Sequence, residues 1–326
     1  MNTLVIGGAG FIGSHLCDAL VARNDFVVVI DNLMRGKVEN IQHLLVNKKF
    51  IFIKGDAADE ENIVNIITKY KIDYIYHLAA NSDIQASSNN PDIEFRCTTK
   101  TTWSVLSVMR KTGVKKLFFA STSAVYGDYN GKLNEEKTVL RPVSYYGSAK
   151  MASEAFINAF SFMNDFDILV FRFPNVVGPR LTHGVIFDFV NKLINNCKTL
   201  EVLGNGNQEK QYIYISDLIE AIIKFDINNK GINVFNVGVE TSTTIKFIAE
   251  EVVKAMKLCD CKIVYGTTDY GWKGDIPKFE FDVSKIHSFG WKGRYSSNES
   301  IVVAIKQHLN EISYNGDTGK KIYDHC

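Results

Sequence analysis

Short, unbroken apolar runs alternate through the first half of the chain with longer stretches in which apolar residues return every three or four positions. The runs are Thr3–Ile6, Phe26–Ile30, Phe50–Ile53, Asp73–Leu78, Lys116–Ala120 and Asp167–Phe173. They are too short for stable helices and show little polar alternation, which is the pattern of strands covered on both faces. Between them, Ile12, Leu16, Ala19 and Leu20 mark one helix face, and Ile63, Ile66, Ile67 and Tyr70 mark another over Glu60–Tyr70. Longer helices are predicted over Asp92–Lys111 and Tyr146–Asn164. Strand and helix in strict alternation imply right-handed crossovers, hence an α/β fold with a doubly wound parallel sheet of the Rossmann type. In such a sheet the functional groups gather at the carboxyl ends of the strands.

Beyond about residue 175 the alternation loosens. Helices are predicted near 184–197, 216–228, 243–257 and 298–312, separated by short apolar segments and glycine-rich loops. Phe235–Gly238 reads as a segment that rejoins the main sheet. The expected organisation is a dinucleotide-binding domain over 1–175, with a returning segment at about 208–240. The remainder of 176–326 forms a smaller α/β substrate-binding domain. The last residues, 314–326, are polar and are expected to be loosely held.

Composition narrows the classes. With 46% apolar and 22% charged residues and a formal net charge of +1, the chain is that of a globular protein with no broad charge suited to nucleic acid or an anionic membrane. No apolar stretch reaches the length of a membrane span. The six cysteines are scattered; only Cys259 and Cys261 lie close, without a ligand cluster, so no metal site is expected.

Candidate chemistry begins at the first strand. It runs into Gly7-Gly8-Ala9-Gly10, and a helix pattern opens at Phe11-Ile12-Gly13. Gly7, Gly10 and Gly13 suit a tight turn, a close approach of backbone N–H groups to a pyrophosphate, and close packing of helix on strand. Asp31 closes the next strand, where a carboxylate accepts hydrogen bonds from ribose hydroxyls and repels a 2′-phosphate, so the cofactor predicted is NAD. Arg35, close by, is the one feature that suits the phosphorylated dinucleotide.

A second constellation lies at Ser121-Thr122-Ser123-Ala124-Val125-Tyr126-Gly127, directly after a central strand, and at Ser144-Tyr145-Tyr146-Gly147-Ser148-Ala149-Lys150 one loop later. Tyr146 and Lys150 share a helix face. A phenol is a weak base at neutral pH; an ammonium beside it, together with a positive nicotinamide ring, is expected to favour the phenolate. Such a phenolate can take the proton of a substrate alcohol as hydride leaves the same carbon, while a neighbouring hydroxyl binds the alcohol oxygen.

The motifs GGAGFIGSH (7–15), DN (31–32), GD (55–56), HLAA (77–80), STSAVYG (121–127), YGSAK (146–150) and FRFPNVVGPR (171–180) occur in this order. With GNGNQEKQYIYISDLIEA (204–221) and GWKGDIPKFEFDVSKIHSFGW (271–291), they cover nearly the whole chain. The sequence thereby resembles the NAD-dependent nucleotide-sugar epimerase/dehydratase branch of the extended short-chain dehydrogenase/reductase superfamily.

The resemblance implies Tyr146 as general base, Lys150 as its partner and a ribose contact, and Thr122 as the hydroxyl partner, with Ser123 a second hydrogen-bonding group. It implies Gly7, Gly10, Phe11, Ile12, Gly13, Asp31, Asn32, Asp56, Ala57, Leu78, Ala79 and Ala80, together with Tyr146 and Lys150, as the residues that bind NAD, and Asn175 as a contact to the sugar diphosphate. Where relatives often hold the diphosphate with two arginines, this chain has Lys210 and Lys273; Arg180 is a further candidate. The 4,6-dehydratases of the branch typically carry Asp-Glu after the catalytic threonine. Here Ser123-Ala124 stand there, and alanine transfers no proton, so 4-epimerisation of a nucleotide-diphosphate sugar is the predicted reaction. A nucleotide-sugar dehydrogenase or reductase, and a 4,6-dehydratase, share the same fold. A non-catalytic dinucleotide sensor would typically have lost Tyr146 or Lys150. The resemblance further implies a cytoplasmic homodimer paired through helices at about 92–111 and 146–163. His77 is read as shaping the dinucleotide cleft, and His183 as a residue near the sugar.

Overall fold

The computed structural model describes residues 1–81, 84–226 and 230–314. The chain divides into two compact units, each contributed by separate segments: residues 1–127, 135–173 and 219–237 in the first, and 128–134, 174–218 and 238 onward in the second.

The first unit is built on strands β1 (Asn2–Ile6), β2 (Phe26–Asp31), β3 (Phe50–Lys54), β4 (Tyr74–His77), β5 (Lys116–Thr122), β7 (Asp167–Phe173) and β12 (Ile232–Asn236). They form one sheet in the order β12-β7-β5-β4-β1-β2-β3. Every pairing is parallel. The order reverses at β1, the switch point where a doubly wound sheet opens a crevice. Register aligns the exits: Ile6 pairs with Ile30 and with His77. The glycine turn, Asp31 and Leu78 therefore leave the sheet at the same edge. β5 runs on past the Phe119 that pairs with His77, to Thr122.

Helices α1 (Phe11–Ala22), α2 (Glu60–Tyr70), α5 (Thr101–Thr112) and α6 (Tyr145–Asn164) belong to this unit, with the short α3 (Ile84–Asn89) and α4 (Asp92–Glu94) preceding α5. One face of the sheet packs Leu4, Ile6, Val28 and Ile75 against Ile63 and Ile67 of α2, Val105 and Met109 of α5 and Ile157 of α6. The strands lack polar alternation because the other face is also covered. There Phe118, Phe171 and Phe235 meet edge-on at 5.3 and 6.1 Å. Helix ends follow local chemistry. The Asp59 side chain accepts from Asn62 N at the start of α2, and Gly113 ends α5 in the left-handed region at φ 81°.

The helix predicted over Asp92–Lys111 is present but not α-helical throughout. After α4, residues Phe95–Lys100 form a π-turn before α5 begins. The widened turn frees main-chain carbonyls, and threonine hydroxyls take them: Thr101 donates to Arg96 O (3.1 Å) and Thr102 to Thr98 O (2.8 Å). Apolar spacing does not reveal this, because the apolar face continues on either side.

In the second unit, β8 (Asn175–Val177) pairs with β11 (Tyr212–Tyr214), β9 (Thr199–Val202) with β14 (Lys262–Tyr265), β10 (Glu209–Lys210) with β13 (Thr243–Thr244), and β6 (Lys132–Leu133) with β15 (Glu280–Phe281). Helices α7 (Val185–Asn195), α9 (Ile245–Ala255), α10 (Ser284–Ser288) and α11 (Ser297–Tyr314) complete it. Its core joins Phe189 and Leu193 of α7, Ile248 and Val252 of α9, and Ile301 and Ile305 of α11. Helix α8 (Ile215–Phe225) carries the chain back to the sheet, and β12 then lies beside β7. The last residues of the helix predicted over 216–228, and the tail from residue 315, lie outside the described residues. Among the described residues, no helix is long and apolar enough to cross a membrane.

Candidate active site

At the first turn, Gly7 has φ +84°, and a Cβ there would stand 2.8 Å from Ala79 N. A Cβ on Gly13 would stand 2.1 Å from Gly7 O. Turn, helix and the segment after β4 are thus packed as closely as backbone allows, and a side chain would fill the cradle. Helix α1 starts at Gly10 with no side chain capping it and no acid in its first turn. Its first N–H groups, around Phe11, Ile12 and Gly13, remain available to an anion.

Asp31, buried at the end of β2, accepts from Ala9 N (3.0 Å) and Leu33 N (2.8 Å). Burial raises its pKa above the usual carboxylate range, and these two N–H groups act against that. Gly36 lies so near that a Cβ would come within 2.8 Å of both Asp31 oxygens. Asn32 and Asp56 are exposed and organise their own turns, accepting from Met34 N (3.0 Å) and Ala58 N (2.8 Å). Ala57 is buried, and Leu78, Ala79 and Ala80 are partly open just past β4. The predicted cradle residues of this unit therefore converge on one edge of the sheet. The cradle that no Cβ could enter, the uncapped helix start and the carboxylate beside them fit a dinucleotide.

Thr122 ends β5, accepts from Ala124 N (3.1 Å) and is hydrogen-bonded to Tyr146. Ser123 opens the following 3-10 turn, Ser123–Val125. Helix α6 begins at the Ser144 cap, whose hydroxyl accepts from Gly147 N (3.1 Å). Gly147 is required there, since a Cβ would approach Ala124 O to 2.5 Å. One turn on, the Lys150 ammonium is buried, donates to Ala120 O (2.7 Å) and lies 4.6 Å from the centre of the Phe119 ring. Burial pulls the lysine down to about 8, while Glu94 and Glu154 act to keep it charged.

The sequence favours the Tyr146 phenolate through Lys150 together with a nicotinamide cation. The chain's own groups act the other way: desolvation first and the negative charge of Glu94 second raise the phenol well above 10, with the Thr122 hydrogen bond opposing. The Lys150 ammonium donates to a main-chain carbonyl and not to the phenol.

Behind this trio lies a set of buried polar residues that motif reading missed. Arg172 of β7 holds Glu154 with three contacts, Nη2 to Oε2 at 2.6 Å and Nε to the two oxygens at 3.1 and 3.2 Å. Arg172 Nη1 also donates to Tyr126 Oη (2.9 Å), and that hydroxyl donates to Asn236 Oδ1 (2.7 Å). Ser121 bonds Glu154 as well. Two signals were available: Glu154 follows Tyr146 and Lys150 on the same helix face, and Arg172 interrupts an otherwise apolar strand. His77 is fully buried, bonds Thr102 (3.0 Å) and is pushed down to about 3, so it is neutral at ordinary pH.

The remaining predicted residues belong to the second unit. Asn175, exposed, begins β8. Lys210 forms an ion pair with Asp275, whose other oxygen accepts from Gly271 N (3.0 Å). The Lys210 charge is therefore largely compensated inside the protein. Lys273 is exposed in the same loop. Arg180 takes φ +66°, and its main-chain N–H donates to Glu311 (2.9 Å). His183 bonds Thr182 (3.2 Å). Among the described residues, no group of three or more His, Cys, Asp or Glu side chains could hold a metal ion.

A doubly wound sheet with a dinucleotide cradle and a threonine–tyrosine–lysine constellation beside it defines an NAD-dependent enzyme of the extended short-chain dehydrogenase/reductase type. Comparison with known proteins makes this specific: residues 3–238 match the NAD dependent epimerase/dehydratase family, and the chain belongs to it. A putative UDP-glucose 4-epimerase of Methanocaldococcus jannaschii is 31% identical over 97% of this chain and 99% of its own length. The dTDP-D-glucose 4,6-dehydratase of Homo sapiens is 27% identical over 94% of this chain and 89% of its own. The crystal structure of Thermus thermophilus UDP-glucose 4-epimerase in complex with NAD is 28% identical and superimposes with a TM-score of 0.83, covering 97% of this chain and 100% of that one.

Proposed function

We propose that this protein is a nucleotide-sugar 4-epimerase with UDP-hexose as the default substrate. One observation carries the reading most directly. Tyr146 and Thr122 are hydrogen-bonded at the carboxyl end of the sheet, and the residue two after Thr122 is Ala124. The pair can handle one alcohol proton, and alanine provides no acid for eliminating water.

In this reading the glycine turn, the start of α1 and Asp31 hold NAD, and bound NAD supplies the acceptor and donor of one hydride. Thr122 hydrogen-bonds the C4 oxygen. Tyr146 removes the C4 hydroxyl proton as C4 becomes a carbonyl, and gives it back when C4 is reduced from the opposite face. Lys150 holds the ribose and keeps positive charge beside the phenolate. The second unit binds the nucleotide diphosphate through Asn175, Lys210, Lys273 and Arg180. Pairing with Asp275 reduces the charge that Lys210 offers the diphosphate, and Lys273 is exposed.

We further propose a cytoplasmic homodimer formed by α5 and α6. Support comes from the exposed apolar residues on these helices: Trp103, Phe162 and Met163 are 44, 86 and 76% accessible. Trp103 is braced edge-on by Phe156 and Phe160 at 5.0 and 5.4 Å, which presents a rigid aromatic surface.

The test is to give purified protein UDP-glucose or UDP-galactose with no added cofactor. The expected result is interconversion at C4. Net consumption of added NAD or NADH, with release of an oxidised or reduced sugar, would make the protein a dehydrogenase or reductase instead.

A further inference from the structure

Directly before the π-turn, the long helix directs a carboxylate to the interior. Glu94, the last residue of α4, is only 2% accessible. Its Oε1 accepts from Asn81 Nδ2 (2.8 Å) and its Oε2 from Thr98 Oγ1 (3.0 Å), with Ser87 a third donor. All three donors are neutral. Asn81 stands directly after the Leu78–Ala80 segment, and its main-chain N–H reaches Thr98 Oγ1 (3.4 Å). The carboxylate is thus fixed between the loop after β4 and the π-turn, and this part of the chain packs on α6, which carries Tyr146 and Lys150.

A buried carboxylate without a hydrogen-bonded cation is costly unless a charge nearby compensates it. Its surroundings show where that charge lies. The groups of α6 that interact with it electrostatically are Lys150 and Tyr146, and Lys150 is also acted on by Glu154. Glu154 is already neutralised by Arg172 of β7 at 2.6 Å. From β4, His77 is neutral. From the π-turn itself, burial pushes the Cys97 thiol up, so it is also uncharged at neutral pH. The uncompensated pair is Glu94 and Lys150.

We propose that Glu94 is the internal counterion of the catalytic pair, a positioning residue that keeps Lys150 charged and withholds ionisation from Tyr146 until positive charge arrives beside the phenol. This inference rests on the roles given to Tyr146 and Lys150 above. Electrostatics agree in sign. Glu94 is the first influence opposing the loss of charge on Lys150, and the second, after burial, opposing ionisation of Tyr146. Burial raises the Glu94 pKa above the usual carboxylate range, while its donors Asn81, Thr98 and Ser87, and then the Lys150 charge, favour the charged form.

The test reads the phenol directly. Near-ultraviolet phenolate absorbance of NAD-loaded protein is titrated, and the same titration of Tyr146→Phe is subtracted. In Glu94→Gln the midpoint for Tyr146 is expected to fall by about one pH unit, since a nearby negative charge has been removed. The alkaline limb of turnover, set by Lys150, is expected to move down with it. Glu94→Asp keeps the charge and is expected to stay within a few tenths of a unit of the native midpoint. If Glu94→Gln does not fold, the double variant Glu94→Met/Thr98→Val removes the carboxylate together with one of its donors and is predicted to give the same shift. An unchanged or raised Tyr146 midpoint in a folded charge-removing variant would overturn the proposal. The titration needs no substrate, so it gives its answer even if no sugar is turned over; that outcome would instead sink the epimerase reading.

Discussion

At the scale of single residues, chemistry is concentrated on a phenol that the protein holds protonated and a lysine that it holds near the edge of ionisation. Tyr146→Phe is expected to lower kcat by about 100- to 10,000-fold, the usual contribution of a positioned acid–base group. NAD binding should persist, because the substitution removes one hydroxyl and leaves the glycine turn, Asp31 and Lys150 in place. Lys150 has a pKa near 8 rather than 10.5, and two consequences of opposite sign follow. Activity should decline as pH rises through about 8, where the ammonium is lost. Between that value and 10.5, however, the unfolded chain binds the proton that the folded one has released, so this lysine makes stability rise with pH. Parallel pH series of turnover and of denaturant midpoint, wild type against Lys150→Met, separate the two. A lysine contribution to stability that falls over this window would contradict the assignment. The trio itself was legible in the sequence because its residues sit in short motifs at fixed spacing. The rise of the Tyr146 pKa within the chain was not. It comes first from burial and second from Glu94, far away in the chain.

Elements reach the site through close backbone contacts and one buried ion pair. Gly13→Ala would drive a methyl group to 2.1 Å from Gly7 O, so helix and turn must separate. The expected outcome is protein that purifies without NAD, measured as nucleotide released on denaturation. Glu154→Ala would leave Arg172 buried without its carboxylate, which typically costs about 3–5 kcal/mol. A clear fall in melting temperature is expected, with turnover lost together with the register of α6 on β5 and β7. The main strands were readable because parallel strands covered on both faces give unbroken apolar runs, and the helices because their faces repeat. The π-turn at Phe95–Lys100 was hidden. Threonine hydroxyls and a buried carboxylate hold it, and neither disturbs the apolar spacing.

For the whole molecule, the seven-stranded parallel order follows from alternation and handedness, and the first half of the chain announces it. The second unit was less legible, since its strands are two to four residues long and pair across long sequence separations. Assembly is tested at this scale. The double variant Trp103→Glu/Phe162→Asp places charge on the α5–α6 surface and is expected to shift light-scattering mass from dimer to monomer. A native protein that is already monomeric at micromolar concentration would refute the proposed pairing. The central claim is 4-epimerisation with hydride returned to C4, and proton NMR in D2O tests it most directly, using UDP-, GDP-, CDP- and dTDP-hexoses without added cofactor. The account predicts a C4-inverted product with no deuterium at C5. A 4-keto-6-deoxy sugar carrying deuterium at C5 would contradict it, and with it the argument from Ala124.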